Sequence, residues 1–237
     1  MKQAVVQLAE RRERQQAVAA GPRVDMYTLV HKGIRAFLGA TLETVGRMDS
    51  YDPVEVAHAI AEVRSLGKFL RAHLHHENQF VHPALEARLP GAARRTASDH
   101  VEHERALERL ESAALAVEKA DDAARPGAAL SLYRELALFA AENLEHMHFE
   151  ETGNNAQLWA AYTDAELGRI HGAMLASIKP EIFSLGLRWM LPAMTPAERA
   201  EFASHLPAEA VPGLRGLLSE RDWAKLSAAL GPVAAPN

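Results

Sequence analysis

The sequence predicts an all-α protein: an up-down-up-down four-helix bundle followed by a region of short helices. Three observations predict it. Apolar residues recur at alternating steps of three and four along four long segments, the period of a helix with one buried face. The chain reads twice as a single His, a long helical hairpin and then His-x-x-x-Glu, ending at His73/Glu77 and at His146/Glu150, late in the second and fourth of these segments. Aromatics make up only 6% of the chain, and alanine is abundant, which favours closely packed helices over sheets.

The elements follow in order. Residues 1–22 are charged and read as a short frayed helix ending at Gly21-Pro22, an amino-terminal extension. The first long helix should run from about Val24 to Met48. Its stripe is Tyr27, His31, Ile34, Leu38, Thr41, Val45 and Met48. Asp52, Pro53 and Glu55 then form a helix start: an N-cap, a proline in the first turn and an acid at the third position. The second stripe is Val56, Ala59, Val63, Leu66, Leu70, His73, Glu77 and Phe80, and Pro83 should break or kink it. The third helix, about Arg94 to Val117, carries Thr96, His100, His103, Leu107, Leu110, Ala114 and Val117. The fourth, about Ala128 to Ala161, carries Leu132, Leu136, Phe139, Asn143, His146 and Glu150, with an interruption expected at Gly153-Asn154-Asn155.

Residues 162–237 form a carboxy-terminal helical extension, with caps expected at Thr163/Glu166, Thr195/Glu198 and Ser219/Asp222. Short helices are expected at roughly 163–176, 180–191, 196–205, 208–217 and 219–230. Trp189, Met190, Leu191, Leu217, Leu218 and Trp223 give this region apolar surface, for packing on the bundle (residues 23–161) or for a homodimer contact.

Composition excludes several classes. The net charge is −5, so no basic surface for nucleic acid or anionic membrane is expected. There is no cysteine, which removes disulfides, thiolate metal sites and cysteine nucleophiles. No apolar run approaches the ~18 residues of a membrane span, and the first residues lack the apolar core of a secretory signal. A cytoplasmic location is the default expectation.

The polar members of the four stripes carry the chemistry. Positions four apart on a helix share a face, so each His-x-x-x-Glu aims an imidazole nitrogen and a carboxylate oxygen at one region. In an up-down-up-down bundle, the start of the first and third helices lies beside the end of the second and fourth. His31, His73, Glu77, His100, His103, His146 and Glu150 all fall there. Two carboxylates buried without a cation would cost several kcal/mol, on the order estimated for buried charge, so the set reads as a metal site. Nitrogen and oxygen donors of this kind suit iron or manganese.

Nine of the twelve histidines lie in these stretches, but not all face the seam. His75 and His148 should be exposed, His76 lies on a flank, and His82 reads as a loop residue. His31 and His103 stand at nearly the same distance before His73 and His146, which favours His103, with His100 as an additional ligand. Glu151 is an alternative to Glu150. Tyr27 is either a neighbour of the site or a tyrosine at the bundle end. Asn143, one turn before His146, is the expected hydrogen-bond partner of that imidazole.

These residues resemble the hemerythrin-like family, the HHE cation-binding domains, over about residues 24–160. The resemblance rests on "VHKGIRAFL", "HLHHENQFVHPAL", "DHVEHERALERL" and "HMHFEE" in this order and spacing. It implies a four-helix bundle holding two non-haem iron ions joined by an oxo or hydroxo bridge, with manganese as an alternative metal. Glu77 and Glu150 would bridge, and His31, His73, His103, His146 and His100 would be terminal ligands. Oxygen-carrying members take two histidines four apart from the third helix. His100 and His103 are three apart, so whether one or both are ligands stays open.

The resemblance implies a protein that binds or senses dioxygen or another small diatomic ligand. The alternative is a di-iron enzyme consuming peroxide or nitric oxide, or an iron-handling stress protein. No second substrate pocket or general acid is visible, which favours binding over catalysis.

Overall fold

The computed structural model describes residues 23–231; the helix expected before Gly21-Pro22 and the tail beyond residue 231 lie outside the described residues. Within them every regular element is helical. Helix α1 spans Thr28–Arg47. It starts where Asp25 Oδ1 accepts hydrogen bonds from the backbone N–H of Tyr27 (2.8 Å) and Thr28 (2.9 Å), which satisfies donors that the first turn leaves free. Helix α2, Pro53–His76, starts as its sequence requires. The Asp52 carboxylate accepts from Val54 and Glu55, and Pro53 occupies the first turn.

After α2 the chain does not break at Pro83. It widens into one π turn, Glu77–Val81, and continues as α3, His82–Arg88, with Pro83 in the first turn of that helix. The His82 N–H bonds back to the Glu77 carbonyl, five residues away. Proline in a regular helix would lack a donor and press on the carbonyl four residues back; the wider turn absorbs this. Helices α4, Arg94–Lys119, and α5, Arg125–Phe149, follow. The interruption expected at Gly153-Asn154-Asn155 is a second π turn, Glu150–Asn154, after which α6 runs over Asn155–Ala161. Each π turn therefore begins on a stripe glutamate, Glu77 or Glu150.

α1 packs against α2 and α5, α2 against α4, and α4 against α5, closing a ring of four long helices. The principal core lies inside that ring and includes Ile34, Leu38, Leu66, Leu70, Leu107, Leu110, Leu132, Leu136 and Phe139. A second cluster at the π-turn end contains Met26, Tyr27, Val81, Leu85 and Leu158.

The remaining helices are α7 (Asp164–Ser177), α8 (Pro180–Ala193), α9 (Pro196–Ser204) and α10 (Glu220–Leu230), with a 3-10 segment at Ala208–Leu217. Thr163/Glu166 and Thr195/Glu198 form reciprocal capping boxes, and Ser219 caps α10 through the Asp222 N–H. Helix α8 lies on α1 and α2, where Trp189 stacks on Phe37 at 4.3 Å. The last elements share a third cluster around Leu191, Met194, Ala203, Leu214 and Leu226. No helix among the described residues is long and apolar enough to cross a membrane.

Arg199 ties this third cluster together. Its guanidinium is buried, donates to the Leu191 (3.0 Å) and Met194 (2.7 Å) carbonyls and pairs with Asp222 at 3.1 Å. Arg199→Ala strands those carbonyls, so we expect a loss of about 2–4 kcal/mol. Hydrogen exchange checks this: opening should be confined to residues 180–230, with α2, α4 and α5 still protected.

Candidate metal centre

Four elements bring their polar stripe residues to one layer beside the π turns. α1 supplies His31, α2 supplies His73, α4 supplies His100, and α5 supplies His146. Glu77 and Glu150 stand on the first residues of the two π turns. Both carboxylates are buried, Glu150 completely.

The donors fall into two groups of four. His31, His73, Glu77 and Glu150 place one ligand atom each within 4.8 Å of one another, and so do Glu77, His100, His146 and Glu150. Both glutamates belong to both groups. His73 Nε2 lies 3.3 Å from Glu77 Oε1, and His31 Nε2 lies 3.4 Å from Glu150 Oε2. On the other side His100 Nε2 lies 3.3 Å from Glu77 Oε2, and His146 Nε2 lies 3.3 Å from Glu150 Oε2. Nε2 of His31 and of His73, Oε2 of Glu77 and both oxygens of Glu150 are buried without a hydrogen-bond partner. Such atoms are costly unless something takes their lone pairs. Cations of the size and charge of divalent iron or manganese fit that requirement.

Three of the imidazoles are held from behind. His31 Nδ1–H donates to Glu151 Oε1 at 3.1 Å, His100 Nδ1–H to Asn78 Oδ1 at 2.8 Å, and His146 Nδ1–H to Asp99 Oδ2 at 3.3 Å. Each bond turns the Nε2 lone pair towards the shared carboxylates. Arg35 in turn grips Glu151 through two bonds, at 2.6 and 3.0 Å.

The electrostatics of the metal-free protein show how protons would substitute for cations. Burial opposes a charge on His31, yet Glu151, Glu77 and Glu150 raise its pKa to about 9. His100 is likewise raised to about 9, burial being outweighed by Glu150 and Glu77. Burial pushes His73 and His103 down to about 4 and His146 to about 2. Burial also disfavours a charge on Glu77, but His73, His100 and His31 hold its carboxyl well below the usual range. Burial and the neighbouring Glu77 charge raise Glu150. The two acids thus cannot both ionise freely without added positive charge.

A family model of the hemerythrin HHE cation-binding domain matches residues 23–157, more than half of the chain. This chain belongs to the HHE family. No curated protein and no solved structure matches it. The HHE match ends before α7, so the helices from Asp164 onward lie outside it.

Of the seven residues singled out in the sequence, the structure brings six into the two groups and leaves out His103. That residue is buried, with its ring perpendicular to His146 at 4.7 Å and its Nδ1 unpartnered. His100, not His103, occupies the place that mirrors His31. Nearly equal residue counts before His73 and His146 do not fix which face of α4 a side chain occupies; helix phase does. Glu151 lies behind His31 rather than in place of Glu150.

Other neighbours differ from expectation too. Asn143 donates to the Phe139 carbonyl at 2.8 Å, and Asp99 serves His146 instead. His82 is buried, not in a loop, with its ring stacked on His100 at 4.7 Å. Tyr27 does stand beside the site, one of its two expected places, with its ring 5.5 Å from that of His31 and its hydroxyl accepting from Asn154 at 3.2 Å. Asn78 and Asp99 carry no motif; their one signal in the sequence is that each adjoins a polar stripe residue, Glu77 or His100. Glu151→Gln keeps the shape but removes the charge behind His31, so metal affinity should fall about tenfold to a hundredfold. Chelator competition against the unaltered protein checks this.

Proposed function

We propose that the four long helices run up-down-up-down and hold two iron ions, at which the protein reversibly binds or senses dioxygen or a related small ligand. Glu77 and Glu150 would be shared by both ions, with His31 and His73 holding one and His100 and His146 the other. The observation that carries this reading is the pair of four-donor groups sharing both carboxylates. Two reduced irons held there would offer electrons and a binding position to a small diatomic ligand.

The chain's own residues shape the site around that position. Ile34, Leu70, Leu107 and Phe139 are buried and apolar, so they keep bulk water away and favour a small uncharged ligand. Glu151, Asn78 and Asp99 fix the imidazoles, so the donors are organised before an ion arrives. His103 Nδ1 and His82 Nε2 are buried and unpartnered beside His146 and His100. These spare imidazoles favour a second reading, turnover of peroxide or nitric oxide, because such reductions consume protons.

The test is anaerobic loading with ferrous iron, then admission of oxygen while the visible spectrum is recorded. A band that forms with oxygen and vanishes on deoxygenation supports binding. Steady oxygen evolution from added peroxide supports turnover. A chain that takes up no iron overturns both.

A further inference from the structure

Helix α1 is held from two sides. One side carries His31, Ile34 and Leu38 into the bundle. The other side meets the carboxy-terminal helices. Gly33 lies so close to α8 that a Cβ there would stand 2.6 Å from Met190 Cγ and 3.0 Å from the Met190 backbone. Only a glycine permits that approach. Next to it, Leu29 packs against the third cluster, and Lys32 Nζ reaches both oxygens of Glu198 at 2.7 Å. One turn on, Phe37 stacks on Trp189 with the rings 13° from parallel. Across the same contact Gly186 lets α8 approach Phe69 of α2, where a Cβ would stand 2.9 Å from the ring.

α1 has little of its own to fix its position. Gly33, Gly39 and Gly46 lower its intrinsic helix stability. Its place is set by what packs on it, and of the residues gripped by α8 and α9, Lys32 and Gly33 stand within two positions of the metal-facing imidazole. We infer that α8 and α9, which lie outside the HHE match, position His31 through Met190 on Gly33, Trp189 on Phe37 and Glu198 on Lys32. Metal affinity then depends on the docking of the carboxy-terminal helices. By linkage, metal loading tightens that docking by the same factor. The inference rests on the metal-binding reading above. It adds that the carboxy-terminal helices are energetically coupled to the centre.

The experiment measures ferrous iron affinity of the full chain by anaerobic chelator competition, alongside hydrogen exchange of residues 180–193. Gly33→Val and Trp189→Ala should each weaken iron binding about tenfold, within the usual span of coupling between sites. Trp189→Phe, which keeps a ring on Phe37, should restore most of it. Gly39→Ala, where the new methyl meets no atom within 4 Å, should leave affinity unchanged. Exchange of residues 180–193 in the unaltered protein should slow on iron loading.

Should Gly33→Val not fold, the Trp189 pair and the exchange measurement still decide. Lowered melting temperatures with unchanged iron affinity, and exchange indifferent to iron, would overturn the coupling and leave the metal centre standing. An unaltered protein that binds no iron would overturn the metal-binding reading itself.

Discussion

Glu77→Ala or Glu150→Ala should leave the protein with almost no tightly bound iron, whereas His73→Ala should lose the ion on one side and keep much of the other. The asymmetry follows from membership: each glutamate belongs to both donor groups, and each histidine to one. Removing a shared carboxylate takes an oxygen and a negative charge from both positions at once. Iron per chain, measured after anaerobic loading and desalting, checks the pattern.

The metal-free proteins should behave in the opposite sense. Glu150 is buried beside Glu77, and burial and that neighbour both raise its pKa. Glu150→Gln removes a charge the fold has difficulty accommodating, so the metal-free variant should melt no lower than the unaltered protein. A variant that lost stability and kept a full iron complement would show that the glutamates only support the fold.

The second expected result concerns pH. His31 and His100 bind protons up to about pH 9 in the metal-free protein. A metal must displace them, so loading near neutral pH should release protons, and iron affinity should climb with pH until about 9. Calorimetry in buffers of different ionisation enthalpy measures the release directly.

Stability of the metal-free form should pass through a maximum near pH 6.5. His31 and His100, raised to about 9, contribute stability that is complete below the ordinary value of 6.5 and is lost as pH rises through 9. His73, His103 and His146, pushed down to about 4, 4 and 2, contribute in the other direction. Their share is complete above 6.5 and is lost as pH falls through 4 and towards 2. The acid side should cost on the order of several kcal/mol. With iron bound, the alkaline decline should disappear, because the metal then occupies the places those two protons held.

The sequence made the helical stripes legible because a buried face imposes its period on every turn. Ile34, Leu38, Leu66, Leu70, Leu107 and Leu136 were placed by spacing alone and are buried. Thr163, Thr195 and Ser219 were readable because a cap is a local bargain between a side chain and the next turn. His31, His73, Glu77, His146 and Glu150 were readable as neighbours because their separations match one helical turn or one hairpin.

What failed to show was whatever depends on phase or on another helix. Asp99 and Asn78 matter through imidazoles on α5 and α4, a relation that spacing within one helix does not express. The π turns were legible only as interruptions at Pro83 and Gly153-Asn154-Asn155; spacing does not tell a helix that widens from one that breaks. The docking of α8 on Gly33 was equally hidden, since a helical glycine in a sequence reads first as a weakness.

The supports behind the imidazoles carry a last consequence. Asn78, from the first hairpin, steadies His100 of the second, while Glu151, from the second, steadies His31 of the first. Neither hairpin orients its own leading imidazole. A fragment carrying only one of them would own half of the clustered donors yet lack the backing for its first, so cutting the loop between α3 and α4 leaves a mutual dependence rather than two autonomous halves. Reassembly of the two pieces should therefore be driven by the ion itself.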